Sequence, residues 1–308
     1  MDHVRRRSGR SCRRRLLATG AATLAGILAS ACAAPKASTE PNASHAGYDK
    51  PAGQGATHSA GGQSGGSRSE SPLPGHRHVT GAKPLAGKIV GIDPGHNGRN
   101  GTDPAYLAHQ VFNGRTMENC NTTGTQTASG YTESLFNWNV ARYLTADLRK
   151  DGAGVVLTRR NNRGVGPCVD KRSTMLNHTN VAIDIHADGG PSWGRGFTVL
   201  EPVADGPNNK VIGSSIRFGR YVHQAVLADT PMRVSNYYGR GGYILRNDLA
   251  GLNLTSVPKV LIECGNMPNP ADAALLTTPR VQRQIARALE AAIIRFLTGH
   301  WPSVQPAG

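Results

Sequence analysis

From residue 88 onward, short β-rich runs alternate with longer stretches whose apolar residues recur at helical spacing, and this alternation most narrows the folds open to the chain. Residues 88–92, 154–157, 181–186, 196–200 and 259–263 read as strands, and residues 133–151, 169–178, 210–227 and 281–297 as helices. In the first of those helices Phe136, Val140, Leu144 and Leu148 lie on one stripe, and in the last Ile285, Leu289, Ile293 and Phe296 do the same. Strands interleaved with helices predict an α/β fold, a single three-layer domain with a largely parallel twisted sheet flanked by helices. A polar stretch at 96–131, rich in Asn, Gly and Thr, is too long for an ordinary connector and reads as a functional loop or hairpin.

The preceding part of the chain has a different character. The formal net charge is +15, and the first 32 residues hold seven arginines against one aspartate, so a large share of the charge is local to that segment. Arg5-Arg6-Arg7, then Arg13-Arg14-Arg15-Leu16-Leu17 and a small-residue apolar run ending at Ala31 give the layout of an export signal, and the arginines followed by Leu-Leu resemble a twin-arginine signal. Leu28-Ala29-Ser30-Ala31-Cys32 resembles a bacterial lipobox, with Cys32 as the lipidated residue, while Ala29-Ser30-Ala31 also matches ordinary signal cleavage. Residues 33–84 contain no Ile, Phe, Met or Trp and read as a disordered Gly/Ser/Pro-rich linker that cannot offset its ordering entropy by burial. The expected organisation is therefore a signal at 1–32, a linker at 33–84, a catalytic domain at 85–300 and a flexible tail at 301–308. With aromatic residues at 5% and no recognition motif, nucleic acid is not expected as a partner. The expected location is outside the cytoplasm, at the outer face of the membrane, with or without a lipid anchor, or in the periplasm or cell wall.

In parallel sheets ligand chemistry gathers at the carboxyl ends of the strands. Four candidate groups fall on element ends: His96 past the first strand, Glu133 opening a helix, His186 ending the 181–186 strand and Glu263 ending the 259–263 strand. Two histidines and a carboxylate on separate elements match a His₂Glu catalytic zinc site with one position left for water. A further carboxylate is then wanted to accept and return a proton, and Glu263 is the candidate.

Gly91-Ile92-Asp93-Pro94-Gly95-His96-Asn97-Gly98, Tyr131-Thr132-Glu133, Ile183-Asp184-Ile185-His186-Ala187-Asp188 and Leu261-Ile262-Glu263-Cys264-Gly265-Asn266-Met267 together resemble the zinc-dependent N-acetylmuramoyl-L-alanine amidases of the amidase-3 family, of the actinobacterial, mycobacterial type. The resemblance covers residues 85–298. It implies Zn2+ held by His96, Glu133 and His186, Glu263 as catalytic base, and hydrolysis of the amide between N-acetylmuramic acid and L-alanine, with peptidoglycan and muropeptides as partners and a monomer as the working form. A catalytically silent wall-binding or regulatory relative is the alternative, and it would show the loss of a ligand or of the base.

Several positions depart from the family pattern or stand beside it. Asp188 stands where many members have Asn, and Asp184, where Ser is common, shares a strand face with His186, which allows either an orienting or a plain structural role. Cys264 replaces a commoner apolar residue and reads as a buried thiol rather than a nucleophile. Cys120 and Cys168 are expected to form a disulfide, as exported compartments permit, pinning the long loop near the metal. Arg172 aligns with a family arginine and is left outside the site. The polar loop at 97–132 raises the question of gating.

Overall fold

The computed structural model describes residues 83–302. The expected signal at 1–32, Cys32, and almost all of the expected linker and tail lie outside those residues.

In chain order the elements are β1 (Ile89–Pro94), α1 (Pro104–Ala108), β2 (Gln110–Phe112), β3 (Met117–Asn119), α2 (Glu133–Lys150), β4 (Gly154–Leu157), α3 (Val169–Leu176), β5 (Val181–Asp188), β6 (Thr198–Pro202), α4 (Ile212–Asp229), β7 (Tyr243–Arg246), α5 (Ala250–Asn253), β8 (Lys259–Asn266), α6 (Pro270–Leu276) and α7 (Pro279–Thr298). Six strands form one sheet in the order β4-β1-β5-β8-β6-β7, and β2 and β3 pair as a separate hairpin. All neighbours in the large sheet run parallel except β6 and β8. No helix among the described residues is long and apolar enough to cross a membrane.

The alternation of each central strand sorts its side chains between two layers. Ile183, Ile185, Val260, Ile262 and Cys264 join the principal core with Phe136, Val140, Leu144 and Leu148 of α2 and Ile285, Leu289 and Ile293 of α7. Each such fully buried side chain contributes about 1.5–3 kcal/mol relative to exposure, so this layer supplies most of the cohesion. Cys264 is a free, buried thiol here, and burial, reinforced by Glu263 and Glu133, pushes its pKa well above the ordinary thiol range. It is core packing. The opposite face of the same strands carries Asp184, His186, Lys259 and Glu263, interleaved with Ala182 and Leu261, which pack in smaller clusters with Leu176 and with Leu252. Asp184 and Lys259 form a buried ion pair of 2.8 Å, which assigns Asp184 a structural role. Burial outweighs the neighbouring lysine and raises the Asp184 carboxyl to about 6.

Helix and strand boundaries differ from expectation in ways that matter near the site. β5 and β8 run past His186 and Glu263, to Asp188 and Asn266, with a register shift between His186 and Asp188. The 169–178 helix closes at Leu176. The strand expected from residue 196 begins at Thr198, because Gly196 has a left-handed φ of 104° and its amide donates to Asp272. The helix expected from residue 210 begins at Ile212, after a single 3-10 turn. β7, α5 and α6 were not legible in the periodicity, being 4, 4 and 7 residues long. The stretch expected as a loop or hairpin contains both, with α1 and the β2–β3 hairpin tied to the body by a Cys120–Cys168 disulfide.

The turn leaving β1 is fixed by two buried arginines. Arg172 of α3, 2% exposed, pairs with Asp93 at 2.6 Å and donates to the carbonyls of Pro94 (3.0 Å), His96 (2.7 Å), Gly166 (3.1 Å) and Pro167 (2.9 Å). Arg159, just past β4, donates to the carbonyls of Pro94 (2.8 Å), Gly95 (3.3 Å) and Ser134 (2.8 Å). Burial alone would raise the Asp93 carboxyl, but Arg172, Lys259 and the Thr158 hydroxyl hold it down to about 2.

Removing one partner of a buried, hydrogen-bonded ion pair costs about 3–5 kcal/mol. Arg172→Leu is expected to lose that much in denaturant unfolding; an unchanged midpoint would contradict the assignment. Because the Asp93 carboxyl sits at about 2 instead of its usual 3.8, its stabilisation is complete above the higher value and disappears as pH falls through the lower one. Asp93→Asn is therefore expected to flatten the acid limb of unfolding. The disulfide closes a loop of sequence separation 48, which the chain-entropy estimate values at about 4 kcal/mol. Of five cysteines, three are expected to titrate when the intact chain is unfolded without reductant, and a count of five would refute the bond.

Candidate active site

The Asp93-Pro94-Gly95-His96 turn, clamped by Arg172 and Arg159, sets His96 at a φ of 58°, a left-handed conformation unusual for a residue with a side chain. Nδ1 of His96 lies 3.2 Å from the carbonyl of Thr122. The Thr122 hydroxyl stands 3.2 Å from the same Nδ1, and a hydrogen on Nδ1 donated to the Thr122 carbonyl would leave Nε2 free to bind a metal. That Nε2 is 3.2 Å from Oε2 of Glu133. His186, on β5, places Nδ1 2.9 Å from Oε1 of the same carboxylate.

Glu133 opens α2, where the positive end of the helix dipole favours a carboxylate. Oε2 accepts from the Thr125 amide at 3.0 Å, and Oε1 from the Ala187 amide at 3.3 Å and from Asn137, one turn along α2, at 3.3 Å. Burial opposes ionisation, yet His96 and His186 hold the Glu133 carboxyl well below the usual range. The His96 imidazole, disfavoured as a cation by burial, is raised by the facing Glu133. Gly124 must be glycine: its φ is 74°, and a Cβ there would stand 2.7 Å from His96 Cδ2 and 2.8 Å from Glu133 Oε2.

The donor atoms of His96, Glu133 and His186 all lie within 4.8 Å of one another. Donors bound tetrahedrally at about 2.0–2.1 Å stand about 3.3 Å apart, close to the 3.2 Å between His96 Nε2 and Glu133 Oε2. Two imidazoles and a carboxylate, with His96 and Glu133 already oriented by hydrogen bonds from outside the cluster, fit a zinc-type cation. A second set, His109 with Cys120 and Cys168, also meets the distance condition. Its sulfurs are bonded to each other, so it offers no thiolates and only one imidazole.

Glu263 lies directly across the ladder from His186 on β8, with Thr198 of β6 opposite on its other side. Its Oε2 is buried without a hydrogen-bond partner. Burial first, then Asp188 and Glu133, raises its carboxyl well above the ordinary value, against the pull of Arg246. Two carboxylates side by side thus have opposite tendencies, Glu133 held as an anion and Glu263 primed to hold a proton.

All four residues expected from the sequence are brought to one end of the sheet: His96, Glu133, His186 and Glu263. Thr122, Gly124, Thr125, Asn137 and Arg159 carry no sequence signal, because backbone donors and carbonyl clamps have no characteristic spacing. Arg172, left outside the site by its sequence, proves to hold the turn from which His96 projects.

The N-acetylmuramoyl-L-alanine amidase family model matches residues 90–295. The chain is 42% identical over 217 residues to N-acetylmuramoyl-L-alanine amidase Rv3717 of Mycobacterium tuberculosis, covering 69% of this chain and 88% of the relative. It is 25% identical over 234 residues to a germination-specific N-acetylmuramoyl-L-alanine amidase of Bacillus subtilis, covering 70% of this chain and 82% of the relative. Among solved structures, the amidase Ami1 of Mycobacterium smegmatis superposes with a TM-score of 0.66 at 40% identity, covering 70% of this chain and 99% of that one. With its sheet and the convergence of His96, Glu133, His186 and Glu263, this chain belongs to the N-acetylmuramoyl-L-alanine amidase family known as amidase-3.

Proposed function

We propose that this chain is a zinc-dependent N-acetylmuramoyl-L-alanine amidase that hydrolyses the amide between the lactyl group of N-acetylmuramic acid and the L-alanine of peptidoglycan stem peptides. The observation that carries the reading is the approach of three donors, all within 4.8 Å, with a buried carboxylate oxygen lacking a partner on the adjoining strand, in a chain of this family.

His96, Glu133 and His186 would hold the ion. Zinc, when bound, supplies Lewis-acid polarisation of the scissile carbonyl and of water. The residues of the chain do the rest. Thr125, Ala187 and Asn137 fix the Glu133 carboxylate, and the Thr122 carbonyl fixes the His96 ring, so the donors need little reorganisation. Glu263 takes a proton from the attacking water and returns it to the departing amine of L-alanine, a role suited to a carboxyl raised by burial. Cys264 has no part in this, since its thiol is buried in the core. Export by residues 1–32, with acylation at Cys32, would bring the domain to its wall substrate, and mass spectrometry of the mature amino terminus reads that directly: an unacylated terminus removes the anchor.

Two measurements test the assignment. Chelation is expected to abolish release of stem peptide from muropeptides, and added zinc to restore it. Glu263→Gln is expected to keep zinc while losing about 100- to 10,000-fold in turnover. Undiminished activity of that variant would remove Glu263 from its role.

A further inference from the structure

Trp193 stands at the tip of the loop joining β5 to β6 and is 69% exposed, the most exposed large apolar side chain of the described residues. The loop beneath it is firmly built. Asn266, fully buried on β8, donates from Nδ2 to the carbonyls of Pro191 (2.8 Å) and Gly194 (2.7 Å). Asn269 donates to the carbonyl of Ser192 at 2.8 Å. Buried Asp272 accepts from the Gly196 amide at 2.6 Å and pairs with Arg195 at 3.3 Å. Gly190 and Gly194 both lie against the ring of Tyr237, where any Cβ would overlap it.

Tyr237 connects this tip to the catalytic strand. Its ring meets Trp193 edge to face with centroids 6.4 Å apart, and its hydroxyl donates to Asp188, two residues past His186, at 2.5 Å. Tyr238 stacks beyond it at 6.2 Å. A rigid loop, held by three buried polar side chains, thus presents an indole to solvent at the head of an aromatic row that reaches Asp188 at the end of the His186 strand. Leaving an indole exposed forgoes the stabilisation its burial would give, and no packing need within the fold accounts for it.

We propose that Trp193 is a sugar-binding platform: its face receives the C–H face of a pyranose ring in the glycan strand. The electron-rich face of the indole attracts the slightly positive C–H bonds, and the ring is flat and large enough to cover one sugar. The identity of the glycan rests on the amidase reading above. The platform would set the side of the scissile amide on which the glycan lies, with the stem peptide leaving the other way.

The test uses the whole chain, stripped of metal by chelation, and glycan strands of alternating N-acetylglucosamine and N-acetylmuramic acid freed of all peptide, so that no hydrolysis enters the readout. Binding is followed by co-sedimentation with the strands and by the change in tryptophan fluorescence, with melting curves as the folding control. The wild type is expected to bind and its emission to shift. Trp193→Ala is expected to bind about tenfold more weakly, and Trp193→Phe to bind nearly as well with the emission shift lost. Equal binding by Trp193→Ala, or no binding by the wild type, overturns the proposal. Binding through Trp193 in a chain that fails to cleave muropeptides would defeat the amidase reading and leave the platform standing.

Discussion

Two buried guanidinium groups gripping the carbonyls of three consecutive residues are the constraint on which the site depends. Arg172 and Arg159 together take the carbonyls of Pro94, Gly95 and His96, and Asp93 neutralises Arg172. Without these donors the Pro94 and His96 carbonyls would lose their side-chain partners, and His96 would have less to hold it in a left-handed conformation. The same groups tie together β1, the segment after β4, α2 through Ser134, and α3, so the position of one imidazole is set by four parts of the chain. The disulfide has a parallel effect from the other side, fastening the loop that supplies the Thr122 carbonyl and the Thr125 amide.

The sheet then brings the remaining groups into register. His186 and Glu263 are paired across β5 and β8, and the ladder shifts register just beyond His186. Electrostatics divides the two carboxylates. Glu133 faces two imidazoles, two backbone amides and the start of a helix, whereas Glu263 is buried beside the negative charges of Asp188 and Glu133, which outweigh Arg246. Two glutamates of one site are thus given opposite tendencies by environment alone.

Much of this was legible in the sequence because it repeats at a fixed period or sits in a compact motif. The stripes of α2 and α7 announced the core, and Gly91 to Gly98, Thr132-Glu133, Ile185-His186 and Ile262-Glu263 announced the strand ends and the four side chains that converge there. The pairing of Cys120 with Cys168 followed from the cysteines available to an exported domain. What stayed hidden was tertiary in origin. β7 is a four-residue edge strand stabilised by β6 rather than by its own pattern. Asp184 could be read as orienting His186 until Lys259, from the neighbouring strand, was seen to claim it. Arg159, Asn137 and Asn266 act on backbone carbonyls brought close only by the fold.

The proposed function places the metal on His96, Glu133 and His186 and not on the sulfur-bearing set at His109, Cys120 and Cys168. X-ray absorption at the zinc edge of the loaded protein separates the two directly. The expected spectrum has nitrogen and oxygen neighbours at about 2.0–2.1 Å, including imidazole scattering, and no sulfur; a shell at about 2.3 Å, the zinc–sulfur distance, would contradict the account.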